Sequence, residues 1–347
     1  MEKILEYSLK TTKNNFDYER FSFEKKRAGS FDIIRHRDFF KFFLRKSKEF
    51  EKSFKYFRDK RSQDLYISLI LFKILSHRNV KLLTNTKQHW NLREKAKALI
   101  SCKSKIKLRH FLGEIKHYQF KFKNHLIKFD GGHRSIAWSF YFRQYFYHRN
   151  GVKISPISGD YVLDLGACMG DTTIAFAHAV GKNGHVYAFD FIPAHLDLIS
   201  YNVNQNYGFR DIVTIMPYAV GRKSNNLPPL KNKFQDKIFP SASLVYGNIK
   251  SIDDIPIISI DDIVEKKKIK KIDFIKMDIE GYELEALKGA SKTIKKFFPK
   301  LAISIYHKDE DFYLIPKYIK SLNDNYSLYI DHYTIYNEET VLYAKLS

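Results

Sequence analysis

The sequence predicts an α/β fold: a mostly parallel sheet closed by an antiparallel hairpin, preceded by a basic, mainly helical region. Three observations predict it. Residues 161–190 read as buried strand, glycine turn, apolar helix and second buried strand. Strands and helices then alternate to about residue 345, as a parallel sheet requires. The charge also divides: residues 1–150 hold 36 Lys and Arg against 14 Asp and Glu, whereas residues 151–347 hold 24 against 24. At 347 residues the chain is long enough for one large domain or two moderate ones. We divide it into a basic, aromatic-rich region at 1–130, a linker or lid segment at 131–158, and a sheet domain at 159–347.

Residues 1–30 mix charges and aromatics without a clear period. From Asp32 to Lys60 the spacing of Phe39, Phe43, Phe50, Phe54 and Phe57 is helical, with Lys and Arg between them. At that spacing the phenylalanines read as a core face. Asp64 is a candidate N-cap for a second helix running to about His77, and a third helix is expected over Asn91 to Ser101. Residues 118–130 switch to strand alternation, with Phe120 and Phe122 on one face, Lys121 and Lys123 on the other, and Asn124-His125 as the turn. Asp130-Gly131-Gly132 breaks the chain. Ser135 to His148 reads as an aromatic helix, and Gly151 to Gly159 as a linker.

In the sheet domain the expected strands are 161–165, 185–190, 212–216, 272–278 and 300–306, with a closing hairpin at about 326–331 and 340–345. Helices are expected at 171–180, from Pro193 to about Asn206, over 282–288 and on through Lys296, and from Asp311 to about Leu322. Ser259 or Asp261 would cap the segment that follows Ile258. Residues 222–250 are polar and proline-containing, a candidate substrate loop.

Cys102 and Cys168 cannot build a disulfide framework and match no zinc spacing, which points to a reducing compartment. The first residues lack the apolar stretch of a signal peptide. The longest apolar run, Leu65 to Leu75, contains Ser68 and Lys73 and is too short for a bilayer. The expected location is cytoplasmic, at most peripheral to a membrane. The basic excess in 1–150 is either a surface for an anionic partner or a solvated face.

The chemistry concentrates at two strand ends. The first is Tyr161-Val-Leu-Asp-Leu-Gly-Ala-Cys-Met-Gly170. A dinucleotide fingerprint needs a middle glycine so that backbone can approach a pyrophosphate. Cys168 stands there instead, and Asp164 precedes the turn. An acid before the turn suits a ligand with a positive amino group and no phosphate. The D-x-G-x-x-x-G pattern, with Asp190 ending the next strand, resembles motif I of class I S-adenosylmethionine-dependent methyltransferases. The second stretch is Ile272-Asp-Phe-Ile-Lys-Met-Asp-Ile-Glu-Gly281, where a buried strand delivers Asp278 and Glu280 at its carboxyl end. Together with Ser259-Ile-Asp-Asp262, Pro299 to His307 and Glu339 to Tyr343, it resembles the FkbM methyltransferase family. The resemblance covers about residues 155–345, and residues 1–130 match nothing we can name.

That resemblance implies a Rossmann-like class I methyltransferase sheet and S-adenosyl-L-methionine as methyl donor to a hydroxyl. It implies that Asp164, Gly166, Ala167 and Gly170 form the turn around the methionine part, that Asp190 accepts both ribose hydroxyls, and that Ala219 lies near the adenine. Family members often have Glu-Pro where this chain has Asp190-Phe191, so the shorter acid moves the ribose slightly. A hydroxyl acceptor needs a base. Asp278, Glu280 and His307 are the catalytic candidates; Asp278 could instead hold the donor's amino group, and His307 could be a structural histidine. His332 and the His133-Arg134 pair are weaker ones. No metal site is assigned. The expected acceptor is a hydroxyl-bearing glycan, glycolipid precursor or small molecule, with an anionic membrane surface or phosphorylated carrier met through residues 1–150. The alternatives are an RNA methyltransferase using the basic region, and a non-catalytic binding module. Against the first, the chain has Asp278-Ile-Glu-Gly281 where base-amine methylation commonly uses an Asn/Asp-Pro-Pro-aromatic motif. The intact acids and glycines speak against the second.

Overall fold

A computed structural model describes Asn15 and residues 30–106, 109–110, 113–225 and 255–347. Most of the expected 222–250 loop lies outside the described residues. Compactness divides the chain into two units, cut after Trp90 and after Ile303, at different positions from the sequence boundaries at 130 and 158. The first unit joins the residues up to Trp90 with Ser304–Ser347, and the second is Asn91–Ile303.

The second unit carries the parallel sheet. Its strands are β1 (Tyr161–Leu165), β2 (His185–Phe189), β3 (Val213–Met216), β4 (Phe274–Met277) and β5 (Lys300–Ser304). They lie in the order β3-β2-β1-β4-β5, all parallel. The chain therefore reverses its direction of winding between β1 and β4, the place where an open α/β sheet opens a crevice at its carboxyl ends. Both faces are covered, so the strands are largely apolar: Leu163, Val186, Phe274, Ile275 and Leu301 are all fully buried. Helix α1 (Asp171–Val180) follows β1, and α2 (Pro193–Asn204) follows β2 with its proline in the first turn. Ser259 does cap the helix Ile260–Lys266, accepting from the Asp262 N–H at 3.1 Å. Asp261 caps a different helix, Ser291–Phe297, accepting from the Thr293 N–H at 2.8 Å.

Ahead of this sheet the second unit contains a three-stranded antiparallel sheet, Ser101–Lys103, Lys116–Phe122 and His125–Gly131. The expected hairpin forms one residue early, with Lys123 at a left-handed φ of 52° and His125 paired to Phe122. The expected 135–148 helix is a short α-turn, His133–Ile136, that widens into a π-helix, Ala137–Phe142. The expected linker at 151–159 begins as a strand. Asn150-Gly151 makes a two-residue turn with both φ positive, at 48° and 78°, and pairs Val152–Ile154 with Tyr147–Arg149.

In the first unit the expected 32–60 helix breaks at Lys46 into Ser30–Arg45 and Ser47–Phe54. Phe39, Phe50 and Phe57 are buried, as a core face requires. Phe50 meets Tyr313 edge-on at 5.2 Å between ring centres. The next helix, Lys60–Asn79, starts earlier than expected because Asp59 is its cap, accepting from Ser62 N–H at 3.0 Å; Asp64 instead pairs with Lys60. Helix Lys87–Lys97 likewise starts and ends before the expected 91–101. This unit also holds helix Asp311–Leu322 and the antiparallel pair β6 (Tyr326–His332) and β7 (Thr340–Leu346). Among the described residues no helix is long and apolar enough to cross a membrane.

Candidate functional site

The turn after β1 is fixed by backbone. The N–H groups of Gly166 and Ala167 both donate to the Phe189 carbonyl at the end of β2, at 3.0 and 2.9 Å. Gly166 has φ +82°, and a Cβ there would lie 1.9 Å from the Asp278 carbonyl oxygen. Only glycine allows that approach. The carboxyl end of β4 is thereby pressed against the turn, and the Asp278 N–H donates to Leu165 O at 3.1 Å. Gly170, also at φ +82°, brings the turn against Ile199 of α2. Cys168, between them, adopts a left-handed φ of 49°.

Two acids flank this turn, and they are used differently. Asp164 is fully buried in β1. Its register partner across the parallel pair is Lys276 of β4, whose Nζ stands 3.1 Å from Asp164 Oδ1. The hydroxyls of Thr172 and Thr173 donate to Asp164 Oδ2 at 2.8 and 2.7 Å. Lys276 also donates to the carbonyls of Leu165 and Gly166. Burial works to lower the Lys276 ammonium; Asp164, backed by Asp278 and Asp171, outweighs it and holds the lysine above its ordinary value. The Asp164 side chain is thus engaged by Lys276 and the two threonine hydroxyls.

Asp190 ends β2. Its Oδ2 accepts from the Cys168 N–H at 2.9 Å, its Oδ1 from the Ile192 N–H at 2.9 Å, and His195 Nδ1 lies 3.2 Å from Oδ2. Burial pushes this carboxyl up, yet His195 and the two backbone N–H groups outweigh burial and hold it below its ordinary value. Burial, with Asp190 and Asp171 beside it, raises the Cys168 thiol well above its usual range, so that thiol stays neutral.

The turn thus gathers Asp164, Gly166, Ala167, Gly170, Asp190 and the backbone of Asp278. Ala219 belongs to a separate two-stranded pair, its N–H donating to Pro256 O at 2.9 Å. Asp278 is half-buried, while Glu280 is exposed at a left-handed φ of 56°. His307 belongs to the first unit, its ring 4.1 Å from that of Tyr306. His332 is buried in the same unit with Nδ1 2.8 Å from Thr340 Oγ1, a structural contact. His133 and Arg134 open the short α-turn before the π-helix.

Sequence reading missed four residues. Lys276 is a lone lysine inside an apolar strand, which itself signals a buried counter-charge. Tyr145 donates its hydroxyl to Asp278 Oδ2 at 2.8 Å. Ser139 donates to Asp171 in the first turn of α1. Burial raises Asp171 to about 6, against the pull of Ser139 and Lys276. The aromatic richness of 135–148 was the visible signal for Tyr145.

Residues 164–326 match the family described as the Methyltransferase FkbM domain. Among solved structures, the chain is similar to methyltransferase FkbM from Methylobacillus flagellatus KT, at 20% identity and a TM-score of 0.55. That likeness covers 87% of this chain and 59% of the other, so the chain spans well under two thirds of that protein's length. Weaker likenesses, both with a TM-score of 0.34, are to Aeropyrum pernix fibrillarin with bound S-adenosyl-L-methionine (12% identity, 71% of this chain and 98% of that one) and to an O-methyltransferase from Bacillus cereus in complex with SAH (13%, 54% and 74%). No curated protein matches the chain.

Proposed function

We propose that this chain is an S-adenosylmethionine-dependent methyltransferase that O-methylates a hydroxyl on a sugar, a glycan or a glycolipid precursor. The observation that carries the reading is Asp190. It is a buried carboxylate at the end of β2, supported by the Cys168 and Ile192 N–H groups and kept ionised by His195. An ionised acid is acceptor-only, and its two oxygens match a vicinal diol. The residues present therefore fit S-adenosylmethionine: the acid meets hydroxyls, and the turn in front of it has a neutral thiol where a pyrophosphate-binding loop has glycine.

In this reading the turn Asp164, Gly166, Ala167 and Gly170 holds the methionine part. Asp164 acts there through Lys276 and the threonines, keeping the turn in shape. Asp190 holds the ribose, and Ala219 lines the adenine end. When bound, the donor supplies a methyl on a sulfonium, already a good leaving group. The chain's own work is proximity, alignment and proton removal. Asp278 and Glu280 after β4 are the groups proposed to take the acceptor's hydroxyl proton. The charge excess of residues 1–150 supports an anionic membrane surface or a phosphorylated carrier as second partner.

Calorimetry tests the reading. The wild-type chain should bind S-adenosylmethionine, and Asp190→Ala should weaken binding by about 100-fold, the loss of two hydrogen bonds to a charged acceptor. A wild-type chain that binds no S-adenosylmethionine would remove the methyltransferase claim. Retention on anionic vesicles across a salt series tests the second partner, and no retention at low salt rejects it.

A further inference from the structure

We propose that Tyr145 is a positioning residue that holds the Asp278 carboxylate in one orientation and in its ionised form. The proposal rests on the methyltransferase reading above, in which Asp278 either takes the acceptor's proton or holds the donor's amino group.

The local chain is built to deliver this one hydroxyl. The π-helix Ala137–Phe142 ends at Arg143, a non-glycine residue at a left-handed φ of 54°. Wide π-turns and left-handed non-glycine residues both concentrate at functional sites. The reversal is pinned by Gln144 N–H to Trp138 O at 3.0 Å and Phe146 N–H to Arg143 O at 2.8 Å. Between them Tyr145 turns inward and is 4% exposed. Its hydroxyl lies 2.8 Å from Asp278 Oδ2.

The direction of that bond follows from its neighbours. A tyrosine hydroxyl has one proton to give. The Gln144 amide nitrogen, a donor, lies 3.3 Å from the same oxygen. The oxygen accepts from Gln144, so its proton points to the carboxylate. A hydrogen bond donated to a carboxylate favours the charged form. The ring is fixed as well, with Lys276 Nζ 5.2 Å from its centre and the Phe176 ring 6.5 Å away. An ordinary core tyrosine satisfies its hydroxyl on main chain, as Tyr66 does on Phe312 O at 3.1 Å. Tyr145 has instead an acid at the carboxyl end of β4. The same segment reaches the start of α1 through Ser139 and Asp171, so one strap holds both ends of the proposed site.

The test uses the full chain without donor, its aspartates labelled with carbon-13 at Cγ and its tyrosines at Cζ. The Asp278 signal is identified by its loss in Asp278→Asn and followed against pH. In Tyr145→Phe the midpoint should move upward by about 1–2 pH units, the worth of a hydrogen bond to a charged group. An unmoved midpoint overturns the proposal. If Tyr145→Phe fails to fold, the wild-type chain decides. A tyrosine Cζ signal should titrate with the same midpoint as Asp278 and lose that step in Asp278→Asn; no such signal overturns the proposal. Calorimetry with S-adenosylmethionine on the wild type judges the underlying methyltransferase reading separately, because the Tyr145–Asp278 coupling is read without it.

Discussion

The ends of β1 and β2 each carry a buried aspartate, Asp164 and Asp190, and the two are opposite in use. Asp164 faces a lysine from the neighbouring strand and two threonine hydroxyls. Asp190 faces two backbone N–H groups and an imidazole. A carboxylate neutralised by a buried ammonium is a structural part, because neither charge can be given to a ligand without stranding the other. A carboxylate held by the chain's own N–H groups stays charged, with lone pairs left for an incoming diol.

The comparison breaks most visibly at Asp164. Asp164→Ala leaves Lys276 buried without its partner and should cost about 3–5 kcal/mol in urea unfolding. Adding Lys276→Met should restore much of that loss, so the two substitutions should be strongly non-additive. If the single variant is as stable as the wild type, the pair is not structural and the contrast with Asp190 fails.

Asp171, in the first turn of α1, gives the next effect. Its folded value of about 6 lies above its ordinary 3.8. The folded chain therefore holds this proton more tightly than the unfolded chain, and stability falls as pH rises from about 4 to about 6. Asp171→Asn should abolish that fall and add about 1–3 kcal/mol at pH 7, read from unfolding curves across pH. Parallel curves for variant and wild type would show that the site does not raise this acid.

The smallest effect concerns His195. Asp190 is depressed in the folded chain, so its contribution is present above the unfolded carboxyl value and is lost as pH falls through the folded one. His195→Ala should remove about 1 kcal/mol of it at neutral pH. It should also weaken S-adenosylmethionine less than Asp190→Ala does, because the Cys168 and Ile192 N–H groups still hold the acid. Equal losses in the two variants would make His195 part of the binding surface.

These residues mark where sequence reading stops. The five strands, the glycine turn, and Asp190 and Asp278 at strand ends were legible, since runs of apolar residues and left-handed glycines are local signals. The partner of Asp164 was not, because Lys276 lies 112 positions away and only the β1–β4 register sets them opposite each other. Tyr145 was hidden for a similar reason: its stretch was read by aromatic content, whereas its role comes from a π-turn and one left-handed arginine. Asn150-Gly151 was legible in principle, since an Asn-Gly pair is the favoured two-residue hairpin turn. The Asp59 cap was misplaced onto Asp64 because both precede the same apolar run.

The Asp164–Lys276 pair also polices how β1 and β4 come together. In a parallel pair a slip of one residue turns every side chain to the opposite face. A slipped β4 would set Lys276 against Leu163 or Leu165 and leave an ammonium and a carboxylate each enclosed by aliphatic side chains. A misaligned β1–β4 pairing is thus penalised energetically, so the pair helps specify a single register.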